Sequence, residues 1–372
     1  MKSYCKGLVI TEEIVAEAYA EWLDGQAGKK NAHRVPKEHG SAQALIAEIT
    51  REIRDRSLTT KPIGYRVRRE PNNGKERLIA VESVKQQVLD YVAVHCLRPL
   101  LDARIGYYQA ASVKGKGQMW LSRRVRRWAR RHKRFVKTDF RKCYPSTQVE
   151  ACMRMLRKYM RSGDVLYLCG YLMGTYRDMR GTDGVPEDGG KRGLNIGSYF
   201  ALMMELLVLS FAYHYIEGLS KERRGRRVPL VAHQAWFMDD CVMFGDSKRD
   251  LKVAVRKMGA YMEREFGLEL KPWKVCELNG SKHSERVKMA GFCTDGAKLV
   301  VADGTFVRLR RCYRRVFRNP RVSRRACSYW GWLKHSDSWE FVSMNGIHKA
   351  MRIARKNVSI EDRRKRCASN AA

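Results

Sequence analysis

No two of the 11 cysteines stand in a C-x-x-C pair, so the chain lacks the usual ligand spacing of a zinc site. Their odd number and scatter leave no disulfide framework, and reduced thiols in a cytosolic protein are expected. Met1-Lys2-Ser3-Tyr4-Cys5 leads into Glu12 and Glu13 rather than an apolar segment, so no secretory signal is expected. No lipid anchor is expected at either end, and no internal repeat is visible. The longest apolar stretch, Tyr199 to Ile216, contains Glu205 and His214 and reads as a buried helix rather than a membrane span. Acids are the scarcest class for a chain this charged: 39 Asp and Glu against 74 Lys and Arg, a formal charge of +35. None occurs from Ser112 to Thr138 or between Asp303 and Asp337. That imbalance excludes an ordinary metabolic enzyme and points to a polyanion, most simply nucleic acid. The spread of basic residues over the whole chain argues against the other polyanion, a membrane surface.

With 372 residues and 44% hydrophobic content, the chain can bury a core and form two or three domains or one multi-lobed fold. Ile14, Ala18 and Trp22, then Ala44, Ile46, Ile49 and Ile53, predict two helices with a polar joint from Gly28 to Gly40. Tyr65 to Ala80 predicts a hairpin about Asn73-Gly74. Arg66, Arg68 and Arg69 precede that turn and Lys75 and Arg77 follow it. The hairpin is then either a charged edge protected from aggregation or a basic flap over a phosphate-bearing ligand. Helical spacing returns at Val84, Val88, Val92 and Leu97, and the segment Arg123 to Arg134 predicts a surface for a nucleic-acid backbone. Residues 149–179 read as helical, Gly181 to Gly193 as a loop, and 247–266 as an amphipathic helix. Met289-Ala290-Gly291-Phe292 predicts a short hairpin, and from Thr305 the arginine-rich chain predicts a small helical domain that grips a duplex.

The stretch that organises the rest is Ala235 to Gly245, where Asp239 and Asp240 sit between two apolar runs. The runs predict a buried hairpin with the acids at its turn. Two adjacent carboxylates repel, and burying them is costly unless a cation sits on them. The plain alternative is a solvated Asp-rich turn. A third acid, Asp139, lies where the predicted strand from Phe135 ends; it is either paired with a neighbouring base or the partner of the later pair. Three such carboxylates suit two divalent ions that clamp an in-line phosphoryl transfer.

These motifs, in this order, resemble those of non-retroviral bacterial reverse transcriptases, nearest to the diversity-generating retroelement and phage-defence branches. Phe135 to Tyr144 is similar to the first palm motif, an apolar run, an Asp and an aromatic five residues on. Phe237-Met238-Asp239-Asp240 is similar to the metal-binding hairpin, and Lys75-Glu76-Arg77-Leu78-Ile79 to the fingers strand. Gly193 to Phe200 resembles the intervening nucleotide-pocket motif, Met289 to Phe292 the primer grip, and Ser328 to His335 a thumb segment. The resemblance implies an α+β right-hand polymerase: an N-terminal helical extension (1–60), fingers (61–134), an RRM-like antiparallel palm sheet with helices (135–295) and a basic helical thumb (296–372). It implies an RNA-directed DNA polymerase using two Mg²⁺ ions, with Mn²⁺ able to substitute. Asp139 and Asp239 would bind both ions, Asp240 would be the third carboxylate, and Phe140 would offer its backbone carbonyl. Tyr144 would lie under the sugar and exclude a 2′-hydroxyl. Lys75 and Arg77 would touch the triphosphate, and Ile196 and Gly197 would floor the pocket. Lys274, or in its place Lys271, would be the general acid for pyrophosphate. Implied partners are template RNA, a DNA primer or product, a structured non-coding RNA and an accessory protein, in the cytoplasm. Weakly templated DNA synthesis in defence and an idle RNA-binding scaffold are the competing readings.

Two positions depart from the family pattern. Ile196 stands where a hydrogen-bonding Gln is common, as in error-prone branches, and Ala201-Leu202 replaces the Ser-Gln those branches carry. No endonuclease or integrase module is visible. An apolar Ile196 cannot hydrogen-bond to nucleotide or template, so low fidelity is expected. Misincorporation by Ile196→Gln, sequenced beside wild type, should fall by up to about tenfold, the net worth of one hydrogen bond; equal error rates would refute the role.

Overall fold

The computed structural model describes residues 3–69, 74, 76–180, 190–278 and 284–370. The protein is α+β, rich in helix, with small antiparallel sheets. It divides into two compact units of three segments each. Unit 1 comprises Met1–Gln109, Asp139–Lys221 and Ala254–Pro272; unit 2 comprises Ala110–Thr138, Glu222–Val253 and Trp273–Ala372.

Unit 1 is a helical assembly with one hairpin. Its central helix, Val84–Arg104, starts where the Ser83 hydroxyl accepts the Gln86 N–H. Val84, Val88, Val92, Leu97 and Leu101 recur at helical spacing and are buried against the helices Glu12–Asp24, Gly163–Gly174 and Tyr199–Gly218. Tyr199–Gly218 is capped by Ser198, which accepts the Ala201 N–H. It is apolar on every side because unit 1 surrounds it: 72% of its most hydrophobic window is buried. Each of its buried leucines contributes roughly 1.5–3 kcal/mol. Among the described residues it is the one helix long and apolar enough to cross a membrane. The expected polar joint after Asp24 is itself helical in two short pieces, Gln26–Asn31 and Val35–His39. Gly40 ends the second at positive φ, +76°, and Ser41 caps the helix Ala42–Arg54.

One residue in the buried helix breaks its apolar rule. Glu205 is fully buried and accepts hydrogen bonds from the Cys143 thiol and from the Thr147 hydroxyl, the latter at 3.0 Å. It thereby ties the helix to the turn Cys143–Ser146. Burial pushes its carboxyl up to about 7, against the two hydrogen bonds that favour the charged form.

Unit 2 holds a four-stranded antiparallel sheet in the order His233–Phe237, Asp240–Gly245, Arg134–Thr138, Val275–Glu277. The helix Gln118–Arg131 turns Leu121, Val125 and Trp128 inward and stacks Trp128 on His233, ring centres 4.8 Å apart. Its other face exposes Arg123, Arg127, Arg130 and Arg131. Met289 to Phe292 forms the expected hairpin, with Ala290 and Gly291 both at positive φ, as a tight two-residue turn requires. A third strand, Leu299–Val301, extends that sheet beyond what the pattern predicted. Phe292 and Leu299 share a core with Leu309, Tyr313, Ala326 and Leu333 from the helices Asp303–Val316 and Ser323–Lys334. Trp332 lies where a side chain on Gly291 would project, 2.4 Å from that point. The hairpin and the Trp330-Gly331-Trp332 segment are therefore packed together.

A raised carboxyl binds its proton more tightly in the folded chain than in the unfolded one. Glu205 therefore contributes stability below the ordinary glutamate range, and that contribution is lost as pH rises to about 7. At about 1.4 kcal/mol per unit, the loss approaches roughly 3 kcal/mol. Denaturant titrations at pH 5 and pH 8 should show a smaller pH difference for Glu205→Gln than for wild type. Equal differences would remove Glu205 as the source.

Candidate active site

The acidic hairpin forms in unit 2. Phe237 pairs with Asp240, so Met238 and Asp239 make a two-residue turn and Asp240 begins the returning strand. The first turn position requires positive φ, and Met238 adopts it at +55° without being glycine. A left-handed non-glycine residue costs about 1–3 kcal/mol, and such outliers cluster at functional sites. The returning strand buries Cys241 to Gly245 completely, which anchors the turn on a rigid base. Next to it lies Arg134–Thr138, with Thr138 opposite Cys241 and Phe135 opposite Phe244. Asp139 follows Thr138 by one peptide bond, just as Asp240 precedes Cys241 by one. Lys137, two residues earlier on that strand, reaches Asp240 with its ammonium 3.1 Å from Oδ1.

Asp139 itself begins the middle segment of unit 1. Its carbonyl accepts the Lys271 N–H at 2.9 Å, and Arg141 N–H donates to the Glu269 carbonyl at 2.8 Å, with Phe140 bridged to Leu270. The Lys271 ammonium pairs with Asp139 Oδ2, whereas Oδ1 is buried without a hydrogen-bond partner. A buried carboxylate oxygen left unpaired costs about 1–3 kcal/mol, so Oδ1 can still accept a further donor. Phe140 is buried, and Lys142 turns the chain in the left-handed region, φ +46°, into Cys143–Ser146. That turn carries Tyr144, half-buried, whose carbonyl accepts the Leu194 N–H at 2.8 Å.

The segment after Leu194 is fixed just as closely. The Ile196 carbonyl accepts the Ala80 N–H at 2.8 Å, which attaches the strand Glu76–Val81. Gly197 has φ +118°, and a Cβ there would sit 2.9 Å from the Ala80 carbonyl oxygen. Its bare backbone is used for strand contact. Ser198 donates to the fully buried Asp90 at 2.6 Å, and Phe200 N–H donates to the same oxygen at 3.1 Å. Burial raises the carboxyls of both Asp90 and neighbouring Glu82. The attached strand brings Arg77 opposite Arg68 across the ladder with Gly64–Arg69. Like charges directly opposite destabilise a sheet, and an anion bound over them would relieve this. Lys75 and Asn73, the predicted flap tip, lie outside the described residues; Gly74 has φ +71°.

Lys274 is exposed in unit 2 and salt-bridged to Glu285 at 2.6 Å, which raises its ammonium above the usual lysine range. The general-acid expectation had favoured Lys274, but Lys271 is the lysine that meets Asp139. Sequence reading gave no role to Lys137 or Asp90. The signal for Lys137 was available, because it lies two strand positions from Asp139 and so on the same face. Among the described residues, no three His, Cys, Asp or Glu side chains gather as a metal-holding group. Asp139 and Asp240 each face a lysine instead.

No protein-family model matches the chain, and no characterised protein compared with it is detectably similar.

Gly197→Ala adds a Cβ in a backbone region that L-residues rarely adopt and against the Ala80 carbonyl. It should lower the unfolding free energy by about 1–3 kcal/mol. A urea midpoint equal to wild type would show that the strand yields at no cost.

Proposed function

We propose that this chain is an RNA-directed DNA polymerase of the non-retroviral bacterial type, a cytoplasmic enzyme with a right-hand fingers, palm and thumb architecture. The observation that carries the proposal is the ladder register. Thr138 opposite Cys241 leaves Asp139 and Asp240 as the next residues beyond the last rung, on strands from motifs a hundred positions apart. The charge balance supports a cation requirement. Asp139 keeps a buried oxygen without a partner, and both Asp139 and Asp240 already attract lysine ammonium groups. Asp139, Asp239, Asp240 and the Phe140 carbonyl would supply oxygen donors alone, a choice that suits Mg²⁺ or Mn²⁺. When bound, two such ions would neutralise charge on the attacking and leaving oxygens of phosphoryl transfer.

The chain's own residues would do the rest. Arg77, opposite Arg68, would hold triphosphate oxygens, with Lys75 nearby in sequence. Tyr144, on its pinned turn, would exclude a ribose 2′-hydroxyl, while Ile196 and Gly197 would floor the nucleotide site. Lys271, held at Asp139, would give its proton to departing pyrophosphate in preference to Lys274, which Glu285 occupies. The exposed arginines of Gln118–Arg131 and of Asp303–Val316 would neutralise template and product phosphates. A structured RNA and an accessory protein would complete a defence or retroelement system.

The test is primer extension with deoxynucleotides and Mg²⁺ on a defined RNA template. Wild type should copy the template. Asp139→Ala and Asp239→Ala should each lose about a thousandfold or more in rate, since several kcal/mol of charge stabilisation disappear. Products whose sequence ignores the template would favour untemplated synthesis. Undiminished biological function in Asp239→Ala would favour the scaffold.

A further inference from the structure

A cavity of about 220 Å³ opens in unit 1 where Val149–Tyr159 and Tyr199–Gly218 meet the end of Lys248–Phe266. It is smaller than the roughly 300–1,000 Å³ of drug-sized sites, so it suits one flat ring system. Its walls are aromatic: Tyr159, Phe211, Tyr261 and Phe266. Phe211 sits 6.0 Å from Tyr159 and 5.4 Å from Phe266 between ring centres, both tilted by about 60°. Tyr261 is braced from behind by a parallel stack on Tyr215 at 4.3 Å. Braced rings of this kind make a stacking platform rather than a collapsible core.

Cations surround the rings. Arg154 and Lys158 line the opening and are exposed. The Arg104 guanidinium lies over Phe211 at 4.7 Å and over Tyr159 at 5.4 Å. Its Nε–H is buried and has no hydrogen-bond partner. The acid lining the cavity, Glu265, is already committed to Arg264 at 2.9 Å. The site therefore presents aromatic walls and a surplus of positive charge at its opening. An apolar ring alone would leave the charge unanswered, and a bare anion would leave the aromatic walls unused.

We propose that this cavity binds a nucleobase carrying a phosphate, with the base against the rings and the phosphate toward Arg154 and Lys158 at the opening. The inference does not depend on the polymerase reading, because none of these residues belongs to the proposed catalytic set. The full-length chain is titrated with adenosine monophosphate, uridine monophosphate, adenosine, inorganic phosphate and single-stranded pentanucleotides, and binding is read by calorimetry. Short-wavelength crosslinking followed by peptide mapping locates the contact. Monophosphates or pentamers should bind more tightly than adenosine or phosphate and crosslink at Tyr159 or Tyr261. Tyr261→Ala should weaken binding about tenfold or more, while Tyr261→Phe, which keeps the ring, should not. Lys158→Ala should reduce the salt dependence of pentamer binding by about one counterion. Asp139→Ala should bind as wild type, so loss of polymerase activity leaves this result intact. Equal affinity for monophosphate and pentamer identifies free nucleotide as the ligand, and tighter pentamer binding identifies a strand; either supports the site. Wild-type affinity in a folded Tyr261→Ala, or phosphate alone binding as well as the nucleotides, overturns it.

Discussion

The acidic turn depends on one strand pairing, that of Arg134–Thr138 with Asp240–Gly245. Its rungs join residues about a hundred positions apart, but loop closure grows only with the logarithm of length. The pairing is held by what it buries: Phe135, Val136, Val242, Met243 and Phe244 are all shielded from water. A slip of one residue would move Lys137 to the place of Thr138 and exchange the faces of every side chain. Hydrophobic packing at the centre of the sheet thus determines the spacing of charges at its end. The strained Met238 turn is tolerated for the same reason, since the strands on both sides leave it no cheaper route.

Unit 1 positions its elements by a different device, buried carboxyls that accept hydrogen bonds from loops. Asp90, on the central helix, collects Ser198 and Phe200 and so fixes the segment containing Ile196 and Gly197. Glu205, on the most apolar helix, collects Cys143 and Thr147 and so fixes the turn carrying Tyr144. A buried polar group left without partners is costly, so each loop is held by the penalty for letting go. Leucine at either position would pack well and would release the loop it now holds.

Much of this architecture was legible in the chain. Helical spacing located the central helix, and the apolar runs around Asp239-Asp240 located the hairpin, because both signals are local and periodic. A hairpin was expected from the Asn73-Gly74 turn signal; its two strands pair as expected, and Asn73 lies outside the described residues. The short helices after Asp24 were missed because they are amphipathic over only one or two turns, too short for a period to register. The strand Leu299–Val301 was missed for a similar reason: three residues acquire meaning only from the neighbour they pair with. The lysine pairing of Asp139 was the hardest to see, since Lys271 and Lys274 are equivalent in sequence and only the backbone bonds between residues 139–141 and 269–271 separate them.

The interleaving of the two units has a biosynthetic consequence. Unit 1 is not complete until Pro272 has been made, and unit 2 draws on residues from Ala110 to the far end of the chain. A nascent chain that has reached the middle of the message therefore holds apolar surfaces from both units whose partners do not yet exist. Such a protein should lean on ribosome-associated chaperones more than one built from consecutive domains. It also resists dissection, because no single cut releases either unit as one continuous piece.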